Sequence, residues 1–257
     1  MRNTFMLGLG LATVLASPWV LAQDISVQAH SLMRLPGNSS VLRLDRLEVA
    51  DYGTLLVPGG VTEVNVEQLV LGHESRIAIV PSPQPFKIAA RRGELGDGSE
   101  ITARGAPGTF EKPALPGRNL TVRLERLDAG QVSVDARGGA GAPGYVGLDG
   151  AGGKEPGCTW GAAGRGFDGD DGGNGHDGAA GGQVRLELPV DYPVSQVKVL
   201  VAGGAGGEGG AGGKGGKGGA SKGCIVYRAD GGKAGKTGAT GQPGAAGSAG
   251  SVTVAPL

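Results

Sequence analysis

The sequence predicts an all-β protein: a short parallel β-helix carrying two inserted hairpins of polyproline II helix that pack as a four-helix, glycine-rich bundle. Three observations predict it. Apolar and polar residues alternate through 23–137, and an outline of roughly 20–25 residues recurs there and again near 184–206. In four later tracts glycine holds every third place, a period that fits neither α-helix nor strand but does fit the three residues per turn of polyproline II.

The chain opens with Arg2, an apolar run FMLGLGLATVLA, and small residues ending Val20-Leu21-Ala22, so 1–22 reads as a cleaved secretory signal. The run is too short and too glycine-rich for a membrane span, and no later segment is apolar enough to make one. The mature chain is expected to be secreted or held at the cell surface, with the periplasm as the alternative address. Formal net charge is +0, which removes any whole-chain attraction to nucleic acid.

From 23 to 137 the segments read as rungs. VLRLDRLEVADYGTLLVPGG (41–60) aligns with VNVEQLVLGHESRIAIVPSP (64–83), and units starting at 86, 120 and 184 follow the same outline. A β-sandwich is the alternative, since short strands with turn signals also suit it. The rung turns at ARGGAG and VAGGAG open into long glycine-rich stretches, giving hairpins at 138–182 and 203–250 that leave the same corner of consecutive rungs. A rung at 183–202 separates them, and 251–257 closes as a strand.

The hairpins are organised around 203–220, six consecutive Gly-Gly-X triplets. Two glycines per turn bare two faces, so this should be the most enclosed helix. Collagen would need far more proline than the 15 Pro of this chain, and a flexible linker has no reason to hold a frame. In an exported protein the only two cysteines, Cys158 and Cys224, have a single intrachain pairing. Two free thiols or an intermolecular bridge are the alternatives.

On these Gly-Gly-X and Gly-X-Y frames with their tip cysteines, residues 138–250 resemble glycine-rich polyproline II bundles, as in glycine-rich antifreeze proteins and phage tail-fibre adhesins. The rung pattern of 41–135 more weakly resembles bacterial adhesin β-helices. The resemblance is one of architecture and does not by itself fix a function.

No cofactor is called for by any motif, and calcium is the one metal with a candidate site. In GFDGDDGGNGHDG, polyproline spacing puts Asp168, Asp171, Asn174 and Asp177 on one stripe, about 9.3 Å apart per turn. The competing reading is a solvated stripe facing Lys214 and Lys217. His30, His73 and His176 lack partner motifs, and no hydrolase, zinc or phosphate-loop signature occurs. Trp160, Arg165, Phe167, Tyr227 and Arg228 gather near the two hairpin tips and form the candidate binding surface for a glycan or a cell-surface protein. A structural cap round the disulfide is the plainer reading of the same residues.

The function expected is therefore non-catalytic adhesion or assembly in a bacterial surface or matrix, self-association included. One alternative is ice binding through Thr237, Thr240, Ala246 and Ala249. Another is a polysaccharide-degrading enzyme using a β-face that carries Arg43, Asp45 and Arg46.

Overall fold

In a computed structural model the described residues are 23–158, 161–225 and 227–257. The expected signal peptide, 1–22, and Trp160 lie outside them. The described chain is all-β, without an α-helix; its one helical turn is a 3-10 turn at Val194–Gln196.

Two large sheets form, and the chain alternates between them. The first takes β1 (Asp24–Val27), β3 (Val41–Val49), β5 (Glu63–Leu71), β7 (Phe86–Leu95), β9 (Leu120–Leu124), β12 (Val184–Leu188) and β16 (Val252–Pro256), in that order. β10 (Leu127–Ala129) continues β9 alongside β7. The second sheet runs β2 (Leu32–Arg34), β4 (Thr54–Val57), β6 (Arg76–Ile79), β8 (Glu100–Thr102), β11 (Val132–Asp135) and β13 (Val197–Leu200). Every pairing in both sheets is parallel. A sandwich built of hairpins would pair its strands antiparallel.

Parallel register stacks like on like. Leu42, Val64, Ile88, Val122 and Leu186 form one buried column, and Leu55, Ile77, Ile101 and Val134 another. The register joins Leu42 to Val64 and Leu55 to Ile77, an offset of one residue from the alignment of like residues that joins Val41 to Val64. The physical reason is the two-residue period, since a slip of one would turn Leu42 and Leu44 outward. In β3 burial falls at 42, 44, 47 and 49, so two successive residues, Asp45 and Arg46, face out and the alternation changes phase. β5 repeats this at Glu67-Gln68 and β7 at Arg91-Arg92.

The corner after this face is held by left-handed backbone. His30, Tyr52, Glu74 and Gly98 have φ of 55, 58, 48 and 75° in successive layers, and each donates its N–H to the layer above. His30 and Tyr52 stack at 4.8 Å between ring centroids, with His73 edge-on to Tyr52.

At another corner three excursions leave the second sheet and return to the first. The shortest, 103–118, lies against the base of the second. Its Gly105 and Gly108 N–H groups donate to the carbonyls of Arg137 and Ala140. Arg118, at its return, is fully buried and donates to the carbonyls of Gln84 and Val61 at 2.7 Å, with its guanidinium over the Phe86 ring. Asp135, equally buried, is gripped bidentately by Arg137 where β11 passes into the second excursion.

Candidate functional site

The second and third excursions consist of four extended tracts, 138–154, 164–182, 202–220 and 231–250, called A to D in chain order. Among the described residues no backbone hydrogen bond falls within a tract; rows between tracts repeat every three residues at 2.8–3.0 Å, and near their bases the tracts also bond to the first excursion and to Ala136 and Val201. Gly138 to Gly153 of A donate to C, from Ala202 to Lys217. Gly166 to Gly181 of B donate likewise to D, from Lys233 to Ser248. B donates back to A, C to B, and D to C. Tracts B and C therefore each touch three neighbours, while A and D do not bond to each other.

The glycine frame follows from this crowding. In C the second Gly of each triplet is buried and the X residue exposed. A Cβ at Gly210 would overlap the Tyr145 carbonyl, and one at Gly209 the Gly241 carbonyl, so both glycines of a triplet are needed. In D only every third residue is half-buried.

The four residues suggested for calcium have other work. Oδ1 of Asp168, Asp171, Asn174 and Asp177 accepts the backbone N–H of Lys236, Ala239, Gln242 and Ala245, at 2.6–2.8 Å. The stripe is regular, as its spacing requires, but its members lie spread along the tract and their oxygens face D. Among the described residues none of the four carboxyl or amide groups pairs with the Lys214 or Lys217 side chain. Among the described residues no three His, Cys, Asp or Glu gather where they could hold a metal. Asp149 of A plays the same part toward the Lys214 N–H.

At the far end Cys158 and Cys224 form a disulfide, Cα atoms 5.7 Å apart, tying the second excursion to the third. A two-residue antiparallel pair, β14 (Lys222–Gly223) with β15 (Arg228–Ala229), shapes the second tip. Tyr227 donates its hydroxyl to the Gly157 carbonyl at 2.9 Å, so this ring spans the two tips beside the bridge. Arg165 pairs with Asp168 at 2.8 Å, away from any tip cluster. Phe167 lies a turn along tract B, exposed, its N–H donating to Ala151 of A. Arg228 is exposed, and Ile225 of the same tip is completely so. Of the predicted tip set, then, the structure brings Tyr227 to the bridge and leaves Arg165 and Phe167 on the flank.

No protein family, curated protein or solved structure matches this chain. Function must come from the surface itself, where a second feature stands beside the tip. Along the first sheet an open cleft of about 590 Å³ is lined by Arg43, Asp45, Asn65, Lys87, Arg91 and Arg123, with Ala89 among its small residues. A neighbouring hollow of about 560 Å³ shares Asp45, Glu67, Arg91 and Glu125 with it and adds Arg92 and Arg126. Ion pairs engage Arg91 with Glu67, Lys87 with Glu63, and Arg123 with Glu125 and Glu187. Among the described residues Arg43, Arg92 and Arg126 form none. Lys87 also holds the Glu63 carboxyl below its usual range by hydrogen bonding to it. The two-outward-residue bend at 45–46, 67–68 and 91–92 creates this surface, and the L-x-L-x-x-L spacing at 42–47 is the sequence signal for it.

Proposed function

We propose that this protein is an exported, non-catalytic surface or matrix component in which a parallel β-helix of short rungs carries a stiff bundle of four polyproline II helices for attachment or assembly. The β-helix reading is supported by the all-parallel pairing and by the chain's regular alternation between two sheets. The bundle reading is supported by rows of inter-tract hydrogen bonds with a period of three, which match the turn of polyproline II. At about 3.1 Å per residue the sixteen steps from Gly138 to Lys154 reach about 50 Å.

The observation that carries the function is the closed, cross-linked end of this stalk. A bridge at the point furthest from the rungs holds the tip as one unit, and Ile225 and Arg228 stand exposed on it. An export signal at 1–22 would supply the oxidising compartment the bridge needs. Beads coated with the protein should attach to cells or extracted matrix polysaccharide. Ile225→Ser combined with Arg228→Ser should abolish attachment without lowering the melting temperature; attachment unchanged by both would remove the tip from this role.

A second reading is favoured by Arg43 in the cleft and Arg92 and Arg126 in the adjoining hollow, which form no ion pair among the described residues and suit an acidic glycan lying across the rungs. Arg43→Ser with Arg92→Ser should then lower glycan retention while leaving tip-dependent attachment intact. Release of new reducing ends, lost in Asp45→Asn, would instead make the cleft a catalytic one.

A further inference from the structure

Both large sheets are open at their ends. β1 and β2 are the edge strands at one end, β16 and β13 at the other, and among the described residues none of the four has a strand on its outer side. The buried columns run out into solvent there. Val254 continues the column of Leu186 at 43% exposure, as exposed as Val252 two residues before it, and Met33 continues the column of Leu55 at 41%.

The two ends are unequal, and they match. The register carries Val41, Leu42 and Arg43 of β3 through β5, β7, β9 and β12 to Thr253, Val254 and Ala255 of β16. β1 stands instead opposite Arg46 to Val49, the second half of β3. One end of the first sheet thus carries the first half of a layer, and the other end the second half. The five residues of β16 and the four of β1, placed in line, make the nine of β3.

Backbone groups match as well. Ser40 turns its carbonyl to Thr62 and Glu63 of the next layer, so Val41 turns the other way, to the open edge. There the Ser39 hydroxyl meets the Val41 N–H at 3.3 Å and its carbonyl at 2.7 Å. At the opposite end Ser251 turns its carbonyl to Val184, so Val252 and Val254 face outward. The Val252 carbonyl and the Val254 N–H are spaced to take the Val41 N–H and carbonyl of another copy. The same placement closes the second sheet, setting Met33 on Val199, Leu32 on Lys198 and Arg34 on Leu200. Apolar columns continue into apolar columns, and no like charges meet.

We infer that copies of this chain stack head to tail, β16 of one copy and β1 of the next filling one shared layer between β12 and β3. This deepens the assembly reading and rests on the removal of 1–22 with the export signal, since the chain must begin at Gln23 for β16 to lie in line before β1. An interface that joins two different ends by a shift along the stack does not close, so the product is an open filament. Its repeat is β3, β5, β7, β9, β12 and the shared layer, about 29 Å at about 4.8 Å per layer.

The test uses the exported protein, its N-terminus read by intact mass. A chain beginning at Gln23 should associate further as concentration rises, and electron microscopy should show filaments with that repeat. Met33→Asp blocks one end and Val254→Asp the other. Each variant alone should sediment as a monomer with circular dichroism unchanged. Mixed, they should form a one-to-one dimer that grows no further, because each keeps one sound end. Leu32→Cys with Lys198→Cys, both at exposed side chains, guards against a misfolded variant. Opposed across the junction at about 4.8 Å, within disulfide reach, they should oxidise to a ladder of linked copies. Association retained by Met33→Asp would mean that like ends join, which overturns the head-to-tail order. A monomeric chain from Gln23, a mixture that does not pair, or no ladder overturns the stacking and leaves the export reading standing. An exported protein that keeps 1–22 refutes both.

Discussion

Asp168, Asp171, Asn174 and Asp177 each put one oxygen on one backbone N–H of tract D, adding a side-chain row to the backbone rows that join D to B and C. Accepting the Lys236 N–H holds the Asp168 carboxyl below its ordinary range, and the Arg165 charge adds to this. A folded-state pKa below the unfolded one means the contribution is whole above the ordinary value and lost as pH falls through the depressed value. Hydrogen exchange at the Lys236 amide should therefore stay slow at neutral pH and quicken in that acid window. Asp168→Asn, which keeps an acceptor, should stay protected and lose the acid step; Asp168→Ala should exchange fast at every pH. Arg118 makes the opposite kind of contribution, at a fully buried place. Burial pushes its pKa down, and it satisfies the carbonyls of Val61 and Gln84 without a carboxylate partner. Arg118→Met would leave those carbonyls unpaired at about 1–3 kcal/mol each, so a loss of about 3 kcal/mol in denaturant unfolding is expected.

At the scale of the tract, neighbouring glycines differ in what they permit. A Cβ at Gly153 would overlap the Gly164 carbonyl, whereas at Gly152 it would meet only the Lys217 carbonyl at 3.7 Å. Gly153→Ala should cost about 1–3 kcal/mol through overpacking. Gly152→Ala, at a compatible position, should be neutral or stabilise by about 0.4–1 kcal/mol; thermal melts of the pair decide. A flexible linker would treat both alike. The glycine frames were legible in the sequence because a three-residue period is local. So was strand alternation, but its register was not. Leu42 and Leu47 share the interior only because the strand bends at Asp45-Arg46, and matching Val41 to Val64 ignores that change of phase. The Asx stripe could be read from spacing alone. Its partner could not, since which tract lies beside B is decided by how the excursions stack. A lone arginine in a loop, such as Arg118, carries no sequence sign that it will be buried.

Across the whole molecule the stability of the two halves has different origins. The two large sheets bury stacked Leu, Ile and Val columns, while the four tracts bury mostly backbone and are held by hydrogen bonds and by the tip bridge. Each backbone bond is worth only about 0.5–1.5 kcal/mol net, and each glycine brings extra chain entropy to be lost. The bridge therefore matters most at the end furthest from the rungs. Cys158 and Cys224 are 66 residues apart, and closing such a loop contributes about 4 kcal/mol on the chain-entropy estimate. That loop spans the whole of B, β12, β13 and C, and reduction should release the tracts while the columns between the sheets keep their contacts. Reducing the bridge, or replacing both cysteines by serine, should split one thermal transition into two. The lower one should carry the unfolding of the tracts and the upper one the loss of the β signal. Proteolysis should correspondingly begin near Lys154 and Lys222, at the freed tip, and progress toward β12 and β16. A single transition merely shifted downward would show that sheets and tracts unfold together, and that the tip bridge stabilises both.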